Sequence, residues 1–523
     1  MVKVPINQTA FEFVVPSEWS RKRLGSYLKE RLNLRAENVD SGLEFFDTFD
    51  WLVHRAGWLL EFTVAQNKVA RLRRLADGQV VEQPLLAEPS RFVRDWPLGP
   101  VRSVLIDIVG VRALLPRVSA SGTADGFAVL NADAKTVCRL SIERWRMDDP
   151  QSRDKAAINP ATEFSRIRIT PMRGWDSEAR RVADTLSGAG FVSADRNTME
   201  SMLAAIDSEP RDYSQKFTLT LDPEQAAHLA ARTILTRLFD DLTINEEGTR
   251  LDIDPEFLHD YRVAVRRTRS ALWAFRNLFG RETLEPFAME FHALGQLTGD
   301  KRNLDVHLID FDDHLKHLEP SQQAAMEVLR KLLQSRMEAA GKALAAHLKS
   351  AAYRRFKRDW KTFLSQTTAH GPSADQAVRK FADAVIYKAY KGILKKGRSI
   401  KRRSPDEALH KLRKRAKQFR YLMEFFSNLY APGDIKRTVK ELKRMQDLLG
   451  QFQDVCVQIG TLRYLLSEDE SSVVRSALNP LLAGLDVSRQ QLRSDFDSQF
   501  KRFDSSKNRA LYAKLFSEAG GDS

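Results

Sequence analysis

The chain has almost no cysteine: Cys138 and Cys456 are the only two in 523 residues. Two thiols cannot build a disulfide framework or a cysteine metal site, so a reducing compartment is expected. Long apolar runs are missing as well. No window approaches the roughly 20 apolar residues that a membrane span needs. The start, MVKVPINQTAFEFVV, has no basic flank leading into an apolar stretch, so no signal peptide is expected. Common catalytic signatures are also lacking: no G-x-x-x-x-G-K-[ST], no G-x-G-x-x-G after a strand, no H-E-x-x-H. The expectation is a soluble cytoplasmic protein with no membrane partner, resident metal or cofactor. Acidity is in short supply too. Lys and Arg number 83 against 69 Asp and Glu, a net charge of +14. That excess favours an anionic partner, such as nucleic acid or a phosphate polymer.

At this length two or three cores are expected rather than one. Residues 1–208 look β-rich: LEFFDTFDWLV, WLLEFTVA, RSVLIDIVGVRALL and TVCRLSIERWRM are short β-branched or aromatic runs, separated by turn residues. A helix is predicted over 21–34, and DSEARRVADTLSGAG and TMESMLAAI are read as two more. Residues 209–220 form a polar linker. From 221 to 515 strand signals vanish and 3.6-period segments follow one another, including 283–298, 301–316, 433–450 and 452–466. The fold class is therefore a multidomain α+β protein, an antiparallel β-rich domain followed by an all-α one.

The helical half repeats itself. HDYRVAVRRTR begins at His259 and HKLRKRAKQFR at His410. Matching the histidines aligns Arg262 with Arg413, Arg266 with Lys417 and Arg269 with Arg420, at a shift of 151. The same shift superposes Gly299 on Gly450, Asn303 on Asp454 and Arg237 on Lys388. Two related helical-bundle units about a pseudo-two-fold axis are expected. Offsets of 0, 3, 7 and 10 at about 100° per residue fall within an arc of roughly 80°. Each helix so presents one cationic line, with Val263, Leu272 and Phe275, or Leu412, Phe419 and Leu422, on its apolar side. Asp254 with Pro255, and Ser404 with Pro405 and Glu407, are candidate N-terminal caps.

A basic run on a helix is ordinarily a solvated face. Here four positions recur in type and spacing, and residues 388–420 hold 14 Lys or Arg against Asp406 and Glu407. Like charges gain no stability by gathering, so a functional anion groove is the better reading. Lys411, Lys414 and Arg415 fall off the line and read as solvated charge.

The pattern H-x-x-R-x-x-x-[RK]-x-x-R, present twice and followed by TGDKRNLDV and LLGQFQDV, resembles the conserved-histidine α-helical domain, CHAD. The resemblance spans roughly 221–515. It implies two four-helix units that bind inorganic polyphosphate in a basic channel, in some members at polyphosphate granules. It implies ligand contacts at His259, Arg262, Arg266, Arg269, His410, Arg413, Lys417 and Arg420, with Lys388, Lys391 and Lys395 as neighbours. Arg302, Asp305 and Asp454 would support the site, the acids pairing with groove arginines. Asn303 departs from the family's aspartate.

The front half, through FFDTFDWLVHRAGWLLEF, resembles a CYTH domain, the triphosphate-tunnel fold. Its catalytic pattern is poor. AFEFVVP offers Glu12 without the expected lysine, Leu59-Leu60-Glu61-Phe62 inverts an expected basic motif, and CRLSIERW supplies Glu143 alone. Metal-assisted phosphoryl transfer needs clustered carboxylates beside cationic clamps. A degenerate, non-catalytic tunnel is the expectation. Two alternatives remain: nucleic-acid binding, with Tyr353, Phe356 and Trp360 available to stack, and a metal-dependent triphosphatase in the front domain. His307, His314 and His317 near Asp310, Asp312 and Asp313 read as a solvated polar helix rather than a metal site.

Overall fold

A computed structural model describes residues 11–517 other than 17, 38–41, 64–68, 86–88, 149–162, 195–196, 205–207, 211–212, 215, 316–319, 367 and 469–471. The chain divides into two compact units, Met1–Gln215 and Lys216–Ser523.

The first unit is a ten-stranded antiparallel sheet, curled into a half-barrel. Its elements are β1 (Phe11–Val14), α1 (Arg21–Arg31), β2 (Leu34–Glu37), β3 (Gly42–Asp47), α2 (Leu52–Arg55), β4 (Trp58–Thr63), β5 (Val69–Arg74) and β6 (Val80–Pro84). There follow α3 (Pro100–Val109), β7 (Leu115–Leu130), β8 (Thr136–Asp148), β9 (Glu163–Pro171), α4 (Asp176–Gly188), β10 (Val192–Ser193) and α5 (Thr198–Ala204). Strand order is β10-β1-β9-β8-β7-β3-β4-β5-β6, with β2 also on β7. The two-residue period sorts the faces. Phe13, Ile167 and Ile169 pack on Leu24 and Leu28 of α1 and Val182 and Leu186 of α4. Glu12, Arg166 and Arg168 therefore point to the opposite face, and Glu12 pairs in register with Arg168.

RSVLIDIVGVRALL, expected as a strand, is mostly α3. Pro100 stands in its first turn, Val101, Leu105 and Val109 are buried at four-residue spacing, and Gly110 ends it at φ 55°. Helical burial outweighed β-branched propensity.

The second unit is wholly helical among the described residues: α6 (Ala227–Arg250), α7 (Pro255–Phe279), α8 (Arg281–Leu315), α9 (Pro320–Lys349), α10 (Ala351–Ser365), α11 (Val378–Arg398), α12 (Asp406–Phe425), α13 (Pro432–Glu468), α14 (Ser472–Phe503) and α15 (Ser506–Phe516). α8 and α13 run straight through Gly299 and Gly450, where breaks were expected. The side chains of His307, Asp310, Asp312, Asp313, His314 and His317 lie outside the described residues.

The pseudo-two-fold is written into the backbone. Starts of α6 and α11, α7 and α12, and α8 and α13 are each 151 residues apart. Ala227 N–H donates to Gln376 C=O at 2.9 Å, and its equivalent, Val378 N–H, donates to Gln225 C=O at 2.9 Å. His228 N–H to Ala374 and Arg379 N–H to Pro223 form a second reciprocal pair, both 3.1 Å. Equivalent residues meet across the axis, as an isologous contact requires. Phe275 and Phe426 do the same, ring centroids 6.4 Å apart. One continuous core then joins both repeats, including Tyr353 and Trp360, which are fully buried.

Candidate functional site

α7 starts where its cap dictates: the Asp254 carboxylate accepts from the N–H groups of Glu256 and Phe257, with Pro255 in the first turn. α12 starts differently from the expected capping box. Ser404 Oγ accepts from Lys401 N–H, while Asp406 binds Arg489 and Arg493 of α14 at 2.7 and 2.6 Å. Both helices bury their apolar stripe, and symmetry turns their basic lines toward one another.

Between them lies a cavity of about 500 Å³. It is lined by Arg262, Arg266, Arg269, Ser270 and Gly295 from the first repeat, and His410, Arg413, Lys414, Lys417, Gln418 and Tyr421 from the second. Six of the eight sequence-predicted contacts thus converge. His259 lies one turn before Arg262 and does not line the cavity. Arg420 does not either: its Nε donates to Glu424 at 2.9 Å, and Glu424 also accepts from Arg267 at 2.8 Å. Lys388, Lys391 and Lys395 stand exposed on α11, away from the lining. Lys414, read as solvated charge, lines the cavity.

The supporting residues divide. Asp454 lies 3.9 Å from Arg413. Arg302 donates to Pro255 C=O and Glu256, bracing the start of α7. Asp305 accepts from Lys301 at 2.6 Å rather than from a groove arginine, because the helical i, i+4 partner is nearer.

No carboxylate lines this cavity, and its cations are held against their own charge. Burial, then Arg266 and Arg302, push the Arg262 guanidinium down to about 10. Burial, then Arg413 and Arg266, push the Lys417 amine down to about 7. Burial lowers Arg269, Arg413 and His410 as well. His410 Nδ1 meets Gln453 Oε1, and Arg269 Nη2 meets His292 Nδ1 at 3.0 Å. Arg262 Nη1, Arg266 Nε and Arg413 Nε are buried without a hydrogen-bond partner. Buried, crowded and incompletely bonded cations are costly unless an anion completes them. Gly295 and Gly299 of α8 supply a smooth wall: a Cβ there would come within 2.7 Å of Arg269 Nη1 and 2.6 Å of Arg262 Nη1. Their i, i+4 spacing puts both on the face of α8 that meets these two arginines.

The charged face of the first unit is built otherwise. Glu12 of β1, Glu61 of β4 and Glu143 of β8 converge on Arg168, at 3.5, 3.7 and 3.5 Å. Arg166 donates to Glu12 at 3.2 Å, Arg73 to Glu61 at 3.0 Å, and Trp145 Nε1 to Glu143 at 3.1 Å. The three glutamates, isolated in sequence, form one cluster in space. Burial opposes Glu61's charge, but Arg73, Arg168 and Arg71 outweigh it and hold the carboxyl at about 2. Among the described residues no group of three or more His, Cys, Asp or Glu could hold a metal ion. No helix among them is long and apolar enough to cross a membrane.

The CHAD domain family matches residues 233–463. Two uncharacterized proteins of Mycobacterium tuberculosis, from strains CDC 1551 and H37Rv, are each 24% identical over 419 residues, 77% of this chain and 75% of their own length. The CHAD domain of Ricinus communis aligns at TM-score 0.43 and 25% identity, covering 57% of this chain and 94% of its own. PptA from Streptomyces chartreusis aligns at 0.44 and 16%, over 53% and 99%. A Bacillus halodurans protein proposed to be an adenylate cyclase aligns at 0.26 and 14%, over 37% and 96%. The repeated basic helices, the two-fold backbone contacts and the family match agree, and the chain carries a CHAD domain across residues 233–463.

Proposed function

We propose that this protein binds inorganic polyphosphate, without turning it over, in the cavity between α7 and α12. The observation that carries the reading is a lining with six Lys or Arg side chains from both repeats and no acid among them. Arginine's planar fork suits phosphate oxygens, and lysine adds point charge. A polymer of identical phosphates offers nothing but charge and oxygen, which is all this lining reads. Nucleic acid is the poorer ligand. Tyr353 and Trp360 are fully buried and Phe356 partly so in the helical core, so these rings are not free to stack bases. The first unit is proposed as scaffold rather than triphosphatase, since Arg168 sits among the carboxylates that a divalent cation would need. A cytoplasmic role at polyphosphate granules is consistent with this reading.

Reversing Arg266 and Arg413 together to Glu should abolish retention on immobilised long-chain polyphosphate while leaving the far-UV spectrum unchanged. Reversing Arg420, already tied to Glu424, should cost much less. Retention that survives the double reversal would sink the proposal.

A further inference from the structure

The α7 cationic line does not stop at Arg269. Positions 262, 266, 269, 273 and 276 keep helical spacing, so Trp273 and Arg276 continue the same face. A second cavity of about 950 Å³ opens there, lined by Leu272, Trp273, Leu284, Ala288 and Met289 together with Arg269, Arg276, Arg281, Glu285 and His292. Arg269 belongs to both cavities, so the two are contiguous.

The character changes along the way. The first cavity is lined almost wholly by polar and cationic groups, whereas the second has an apolar and aromatic wall with arginines at its edge. Leu272 and Leu284 are buried beneath it, but Met289 is 61% exposed, unusual for a large apolar side chain beside a tryptophan. Arg276 lies over the Trp273 ring at 5.2 Å, and Glu285 is engaged by Arg281 at 3.4 Å. The second repeat offers no counterpart: the residue equivalent to Trp273 is Glu424 and the one equivalent to Arg276 is Ser427. Glu424 closes that end by holding Arg267 and Arg420. The cationic face thus runs on past the first cavity along α7, whereas the equivalent end of α12 carries a carboxylate already paired with two arginines.

We propose that the Trp273 cavity is a nucleobase subsite, and that the two contiguous cavities together bind a nucleoside polyphosphate, phosphates among Arg262, Arg266, Arg413 and Lys417 and the base against Trp273 and Met289. The assignment rests on the phosphate-binding reading of the first cavity. From Arg266 to Trp273 the helix advances about 10 Å, which a triphosphate and its ribose can bridge past Arg269. A planar base would meet an indole, a thioether and the guanidinium that lies over that indole, all groups that stack on or pack against aromatic faces.

The test is calorimetric titration of the full chain, without divalent metal, comparing adenosine 5′-triphosphate with inorganic tripolyphosphate. Esterification removes one charge, so charge alone would make the nucleotide the weaker ligand. Stacking should instead make it about tenfold tighter. Trp273→Leu should erase that gain and leave tripolyphosphate unchanged. Should tripolyphosphate itself not bind, the phosphate reading fails and this one with it. If tripolyphosphate binds but the nucleotide gains nothing, or Trp273→Leu weakens both alike, the nucleobase subsite alone is overturned.

Discussion

Lys417 is a buried amine crowded by Arg413 and Arg266, and these pressures bring it down to about 7. The unfolded chain keeps that proton to near the ordinary lysine value of about 10.4. Stability therefore rises as pH climbs from 7 toward 10, because the unfolded state binds more protons there. A bound polyanion favours the charged amine and draws the proton back. Polyphosphate affinity should fall between pH 7 and 9, by up to about tenfold per unit, and Lys417→Arg should flatten the profile. Titration in two buffers of different ionisation enthalpy measures the proton uptake directly, and none at pH 8 would remove Lys417 from the account. His410, lowered by burial, adds its own dependence only on the acidic side of its ordinary range. Glu61 shows the same sign in a different pH window. Its carboxyl sits at about 2, below the ordinary value, so its stabilisation is full above about pH 4.5 and lost as pH falls through 2. That contribution is on the order of 3 kcal/mol, and Glu61→Gln should flatten the acid limb of the unfolding curve. Arg168→Met leaves three carboxylates without their central cation and should cost roughly 3–5 kcal/mol, seen as a drop in Tm at pH 7 that narrows at pH 4.

At the level of elements, the repeat is equal in sequence and unequal in space. Gly299 and Gly450 are equivalent residues of α8 and α13. A Cβ at Gly299 would lie 2.6 Å from Arg262 Nη1, while one at Gly450 meets nothing within 4 Å. Gly450→Ala should add about 0.5–1 kcal/mol of helix stability and leave binding alone. Gly299→Ala should gain the same helix term yet displace the Arg262 guanidinium, weakening polyphosphate binding several-fold. Equal affinities for the two variants would dismiss the wall. These glycines also show where sequence reading stopped short. They looked like helix ends because glycine costs about 1 kcal/mol in a helix interior. Packing along α8 and α13 overrides so small a term. The cationic lines were legible because the basic residues recur with the helical period, so His410, Arg413 and Lys417 could be placed on one face by counting. Which line faces which neighbour depends on packing, which puts Lys414 on the lining and leaves Lys388, Lys391 and Lys395 off it. The convergence of Glu12, Glu61 and Glu143 was beyond counting altogether, since register across a curled sheet decides it.

Over the whole molecule the positive charge is not shared. Residues 1–215 hold 30 Lys and Arg against 29 Asp and Glu; residues 216–523 hold 53 against 40. The first unit neutralises itself internally, as the Arg168 cluster illustrates, and the helical unit carries the field. Two-fold symmetry concentrates that field, because Arg262, Arg266 and Arg269 of α7 find basic equivalents in Arg413, Lys417 and Arg420 of α12 across one axis. The cavity gathers Arg262, Arg266, Arg269, Arg413, Lys414 and Lys417 from lines that would separately be surface charge. A polymer threaded there should release counterions in proportion to the cations it meets. With six of them, the logarithm of affinity should fall against the logarithm of salt with a slope of roughly −4 to −5 at pH 6.5, where Lys417 is charged. Arg266→Gln should reduce that slope by about one unit. Long-chain polyphosphate titrated from low to high potassium chloride provides the measurement. A slope near −1 would mean that only one or two phosphates enter the cavity, and that the two repeats do not act on the ligand together.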